Sequence, residues 1–203
     1  MNKPRTSKNY GNTKRRAIFD RAVLENTTTK KWRSKHSSTK FPEIQMRVMG
    51  IDPGTATTGF SILERDKNSF RLLDYGCITT EAKTPANIRL NQIAQDLKTL
   101  IKKWEPTHAS IEKLFFNKNV KTAISVAQAR GVVIQILTEY GIDPREFTPL
   151  EIKSAVCGYG RADKKMVQEM IKTMLNLKVI PRPDDAADAI ATAICAINTM
   201  QYK

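Results

Sequence analysis

Histidine and cysteine are scarce in this chain, and that scarcity narrows its chemistry. Two histidines, His36 and His108, and three cysteines, Cys77, Cys157 and Cys195, are spread over 203 residues. No C-x-x-C or mixed Cys/His spacing occurs, which argues against a zinc site and a disulfide framework. The cysteines read instead as buried free thiols of a reducing compartment. No apolar run approaches the roughly 20 residues that a membrane span needs. No secretory h-region is present either, so the expected location is cytoplasmic, with no membrane partner. Acidic residues are in the minority, 20 Asp+Glu against 34 Lys+Arg, for a formal net charge of +14. Such an excess favours a polyanionic partner, most often nucleic acid. Charge alone is equally compatible with a solvated basic surface.

The positive charge is unevenly distributed. Residues 1–46 carry 12 Lys+Arg and three acids, Asp20, Glu25 and Glu43, and are rich in Ser and Thr. Stretches such as TTTKKWRSKHSSTK (27–40) hold too little apolar surface to offset the entropy of ordering. This segment reads as a mostly disordered basic arm that adds phosphate affinity. An organellar transit peptide and an inert tail are the competing readings. Residues 47–203 then form the folded domain.

From residue 46 onward the pattern is regular. MRVMGID (46–52), TGFSILERD (58–66) and SFRLLDYGCIT (69–79) read as three antiparallel strands. Residues 85–103 place Ile88, Ile93, Leu97, Leu100 and Ile101 at helical spacing after Pro85. A fourth strand is expected over 106–113, and a helix over 119–141 stopped by Gly141. A fifth strand is expected at EFTPL (146–150), followed by helices over 149–158, 162–177 and 183–200. The order βββαβαβααα implies an α/β chain with a five-stranded mixed sheet flanked by helices on both faces.

Four carboxylates stand in distinctive settings within this pattern. Asp52 closes the first strand in GIDPGTATTG, Glu112 closes the fourth in ASIEKLFF, and Asp185 and Asp188 open the last helix in PDDAADAIA. The last two are three residues apart and share a helix face. The rest of that helix is an Ala/Ile stripe that must pack on the sheet, where acids are costly unless they meet cations. Singly, each acid has an ordinary reading as a turn residue, an exposed strand end or a helix cap. Together they suit one or two magnesium ions, which take oxygen ligands and can drive in-line attack on a phosphodiester. Asp184 is a further acid beside the pair, and it shares a face with Asp188.

GIDPG, IEK followed by LFFNKN, AQARGV, VCGYGRADK and DAADAIA together resemble the RuvC family of Holliday-junction resolvases over residues 47–200. The resemblance implies an RNase H-like fold and a homodimer that nicks four-way junction DNA symmetrically. It implies two Mg2+ ions per site, with Mn2+ as a substitute, held by Asp52, Glu112, Asp185 and Asp188. It also implies nucleoid association and branch-migration partners of the RuvA/RuvB type. By the same resemblance Lys153 and Lys164 act in junction cleavage, and Phe115 stacks on or unstacks a base near the crossover. The residues agree in part: GYGR (158–161) is a glycine-bearing turn feeding a helix N-terminus, where Arg161, Lys164 and Lys165 gather and amides favour phosphate. A solvated cationic helix face is the alternative there, and core or dimer packing is the alternative for Phe115 and Phe116. The helix over 119–140 offers a dimer surface, unless it only fills the core.

Three rivals remain. An actin-like ATPase shares the first strand and its D-x-G turn but needs a second domain. A YqgF-type RNA-processing nuclease shares the opening strand. A junction-binding or DNA-packaging protein would keep the basic surface without using the acids.

Overall fold

The computed structural model describes residues 46–66, 69–113 and 120–200. Strands β1 (Arg47–Asp52), β2 (Thr57–Asp66) and β3 (Ser69–Thr79) form an antiparallel meander. Helix α1 (Ala86–Trp104) leads to β4 (His108–Glu112), and α2 (Val120–Glu139) leads to β5 (Pro144–Phe147). Three helices follow: α3 (Pro149–Cys157), α4 (Lys164–Met174) and α5 (Asp184–Met200). The sheet order is β3-β2-β1-β4-β5, with β4 parallel to both β1 and β5. The expected five-stranded mixed sheet is therefore present.

Alternation along the strands divides two cores. Met49, Ile51, Ile62, Ala109 and Ile111 pack with Ile93, Leu97 and Ile101 of α1 and Val133 and Leu137 of α2. Val48 and Leu63 face the opposite way, against Ile152 and Val156 of α3, Val167 and Ile171 of α4, and the apolar run of α5. Strands with a period of two thus bury both faces under helices. Helix α5 lies directly on the sheet because two glycines let it. A Cβ at Gly50 would overlap the Ala189 carbonyl oxygen, and one at Gly59 would overlap that of Asp185. Ser61 Oγ donates to the Ala189 carbonyl at 3.0 Å, a buried tie between sheet and helix.

The fifth strand and helix α4 differ most from the sequence expectation. The fifth strand ends at Phe147 rather than reaching residue 150, because Thr148 starts a helix. Its hydroxyl accepts the Glu151 N–H while the Glu151 carboxylate accepts the Thr148 N–H, and Pro149 occupies the first turn. This reciprocal cap, with proline just inside the helix, outweighs the strand character of the FTPL run. Helix α4 starts at Lys164, after Asp163 as N-cap, and stops at Met174 before the left-handed Asn176. The stop at Gly141 is as expected: its φ is +74°, and Ile142 N–H reaches back to the Leu137 carbonyl at 2.9 Å. The cysteines are free, but only Cys195 is buried; Cys157 is half-buried against the α3–α5 core, and Cys77 is half-buried on β3. Among the described residues, no helix is long and apolar enough to cross a membrane.

Candidate active site

Strand register assembles the acids. Asp52 and Glu112 are the last residues of β1 and β4, which run parallel with Ile51 beside Ile111. Both carboxylates therefore leave the same edge of the sheet, and alternation sends both toward α5, since Ile51 and Ile111 point the other way. The C-terminal edge of parallel strands is where open α/β sheets commonly hold their ligands. Asp52 is paired across the ladder with Gly59, and Gly59 lies against the backbone of Asp185. Backbone contacts alone thus carry the start of α5, with Asp185 and Asp188, over the end of β1. The turn after Asp52 is closed by the Thr58 hydroxyl, which donates to the Gly54 carbonyl at 2.6 Å.

The electrostatics follow from this crowding. Burial, then the charges of Glu112, Asp188 and Asp185, push the Asp52 carboxyl from the usual 3.8 up to about 7, with Lys164 opposing. Burial and Asp188 raise Glu112, while Lys153 and Lys164 hold it down. Burial also raises Asp188 against the pull of Lys164. The cluster has more negative charge than its surroundings compensate.

Lys164 is the nearest cation. Its Nζ lies 3.0 Å from Asp188 Oδ2 and 3.4 Å from Asp184 Oδ2. Burial would lower its pKa, but the bonds and charges of the two aspartates raise it on balance. Asp184 turns its other oxygen to Gln168 Nε2, at 3.1 Å, and to Arg182. Gln168, the Lys164 ammonium and Arg182 hold Asp184 below the usual carboxylate range. Of the three aspartates of α5, Asp185 and Asp188 act on Asp52 and Asp184 does not, so Asp184 faces the rim of the cluster rather than its centre.

A cleft of about 240 Å³ opens beside the acids, lined by Glu112, Asp188, Lys153 and Lys164 and walled by Pro149, Ile152, Val167 and Ala191. Arg161 is exposed in the loop between α3 and α4 and is not among the residues that line this cleft. The start of α4 carries a cap of its own. Asp163 caps it, accepting the Met166 N–H at 2.8 Å, so the protein's own carboxylate takes one of the amides a phosphate would use. Phe115 and Phe116 lie outside the described residues, as do residues 1–45.

The donor set is all oxygen, its net charge is negative, and an ammonium already serves as its counter-charge, all of which fits a hard divalent cation. Among the described residues, no three acidic, histidine or cysteine side chains stand close enough to enclose an ion in their present rotamers. Bringing these carboxylates onto one ion would take side-chain rotation.

Three contributors escaped the sequence reading: Gly50, Gly59 and Gln168. A glycine inside a strand signals close backbone approach, so the first two were detectable in principle. Gln168 sits four residues after Lys164 on the same helix face and is almost fully buried, which no local pattern reveals.

Comparison with known proteins agrees with this architecture. The family model described as crossover junction endodeoxyribonuclease RuvC matches residues 48–196. A protein of that description from Finegoldia magna is 52% identical over 158 residues, which are 78% of this chain and 96% of the relative. One from Ruminiclostridium cellulolyticum is 50% identical over 154 residues, 76% of this chain and 93% of the relative. The solved structure of T. thermophilus RuvC in complex with Holliday junction substrate superimposes with a TM-score of 0.71 at 27% identity, covering 77% of this chain and 96% of that one. The fold shared with these neighbours is the RNase H-like fold expected from the motifs. Sequence, sheet order and the placement of the acids converge, and the chain belongs to the RuvC family of crossover junction endodeoxyribonucleases.

Proposed function

We propose that this chain resolves four-way DNA junctions by paired symmetric nicks, using Asp52, Glu112, Asp185 and Asp188 to hold two Mg2+ ions, with Mn2+ as a substitute. The observation that carries this reading is the convergence of those residues on one sheet edge, where crowding lifts Asp52 to about 7 beside a cleft lined by Lys153 and Lys164. Bound ions would supply Lewis acidity for an attacking water and for the departing 3′ oxygen. The protein's own contribution is placement. The parallel pair β1/β4 fixes two carboxylates and the glycine-seated α5 fixes the other two. Ile152, Val167 and Ala191 wall the cleft with apolar surface that lowers the local dielectric. Lys153 and Lys164 meet the phosphate charge, with Arg161 contacting the backbone farther out.

Symmetric nicking calls for two such sites, and a homodimer supplies them. Ile124 is 65% exposed on α2, and Ala127 and Gly131 follow it on the same outward face. That small-residue and apolar stripe suits a self-complementary contact. Phe115, next to Glu112, would stack on a base at the crossover, and branch-migration proteins of the RuvA/RuvB type would be the assembly partners. Residues 1–46 would form a basic arm outside the 47–203 nuclease domain. Deleting residues 1–45 should leave cleavage at low salt intact and make the salt dependence of DNA binding shallower; an unchanged slope would show that the arm does not touch DNA.

The deciding assay is cleavage of four-way, linear and RNA/DNA hybrid substrates with Mg2+. Symmetric nicks confined to the four-way substrate support the proposal. Preference for the hybrid would favour an RNA-processing nuclease, and binding without cleavage would favour a junction-binding or packaging role.

A further inference from the structure

Asp184 is outside the four carboxylates assigned to the ions, yet it is among the most heavily tethered side chains of the cleft rim. One of its oxygens is held by the Gln168 amide at 3.1 Å and by Arg182. The other lies 3.4 Å from Lys164 Nζ, which also reaches Asp188 at 3.0 Å. Gln168 is 5% exposed, so its amide is fixed by packing and its partner is fixed in turn. Lys164 and Gln168 stand four apart on α4, which places both over the first turn of α5.

We propose that Asp184 and Gln168 are positioning residues that tether the Lys164 ammonium at the mouth of the cleft, keeping it over the phosphate to be cut when Asp188 turns to a cation. This inference rests on the nuclease reading above. A lysine held only by Asp188 would lose its partner once that carboxylate was engaged, and a four-carbon side chain on an exposed helix start would then retreat into solvent. Asp184 supplies a second anchor that is not consumed. Its own position does not depend on Lys164, because Gln168 and Arg182 hold the opposite oxygen. The ammonium thus stays beside Glu112 and Asp188, where it lines the cleft.

The test is a double-mutant cycle of Asp184→Asn and Lys164→Met, with Gln168→Leu as a second route to the same loss. Single-turnover cleavage of a four-way junction, junction affinity and the Mg2+ half-saturation would be measured for each variant. Amine labelling of Lys164 in the metal-free protein, read by mass spectrometry, reports the tether without any cleavage. Asp184→Asn should raise labelling, slow single-turnover cleavage about 5- to 10-fold and leave junction affinity within about twofold. In the Lys164→Met background the same change should have no further effect, since its whole influence passes through the ammonium. Gln168→Leu should reproduce both effects in weaker form. Asp184→Asn that cuts as fast as the parent or faster, or that slows both backgrounds equally, would overturn the proposal with the nuclease reading intact. If the parent protein cuts no junction with Mg2+, the nuclease reading falls; the tether is overturned separately if Asp184→Asn leaves labelling of Lys164 in the metal-free protein unchanged.

Discussion

On one face of the sheet, Met49, Ile51, Ile62 and Ile111 meet the long aliphatic side chains of α1 and α2. On the other, Gly50, Gly59 and Ser61 meet the alanines of α5 at backbone contact distance. The first interface is an ordinary core, whose strength is apolar area removed from water. The second holds the sheet and helix so close that Asp185 and Asp188 are located by main-chain contacts rather than by side-chain rotamers. The comparison teaches where tolerance lies: an aliphatic core can repack, whereas a site assembled by backbone contact has little room to shift.

Chemistry breaks the comparison most sharply. Asn at Asp52, Asp185 or Asp188, or Gln at Glu112, should each reduce junction cleavage by on the order of 10²–10³-fold or more while leaving junction binding in place. Gel-based cleavage and binding assays on the same preparations read both quantities. Near-normal cleavage by any one variant would remove that residue from the site.

Packing changes should separate the two faces. Leu97→Ala in the α1 core should cost about 2–5 kcal/mol in denaturant unfolding with cleavage per folded molecule nearly unchanged. Gly59→Ala should cost a comparable amount, on the order of 3 kcal/mol, yet lose cleavage out of proportion, because the new methyl displaces the backbone of Asp185. Equal loss of stability and activity in both variants would erase the distinction.

The acid face should also carry a pH signature in metal-free protein. The Asp52 carboxyl has a folded-state pKa of about 7 against an ordinary 3.8, so the folded state holds its proton more tightly. Its stabilising contribution is fully present below the unfolded value and is lost as pH rises through about 7. Asp52→Asn should therefore be more stable than the parent at pH 8 by on the order of 4 kcal/mol, with the gap closing toward pH 4. Thermal unfolding across that range checks it. Added Mg2+ should favour the parent instead, since cation binding requires the ionised form.

Thr148→Ala should produce the smallest effect. Loss of the reciprocal cap should cost about 1 kcal/mol. Because α3 also supplies Pro149, Ile152 and Lys153 to the cleft wall, a modest rise in the junction concentration needed for half-maximal cleavage should accompany it. Unfolding curves and cleavage titrations on one preparation measure both.

The alternation of RVMGID and the Ala/Ile run of α5 are strong local signals, and the strands, helices and layer order were legible from them. The fifth strand was displaced because FTPL satisfies a strand pattern while Thr148 and Glu151, three residues apart, satisfy a cap that becomes visible only when both bonds form. The GYGR turn was located correctly, but Asp163 turned out to take one of the amides expected for phosphate. Arg161 was grouped with Lys164 by sequence proximity, yet the loop leaves it outside the cleft lining.

The sequence by itself determined the class of chemistry. Asp52, Glu112, Asp185 and Asp188 are the residue types a hard cation requires, at strand ends and a helix start that local propensity specifies. It also separated the residues of each strand into two opposite sets, because side chains alternate with a period of two; which set meets which helices was decided by the packing. Only the tertiary structure decided how the acids relate to one another and to Lys164. That relation depends on β4 lying parallel beside β1, on two glycines admitting α5 to backbone contact, and on a buried Gln168 reaching Asp184 across two helices. These are contacts between segments distant in sequence. Their geometry is set by the shared packing of sheet and helices, which no local stretch of chain encodes.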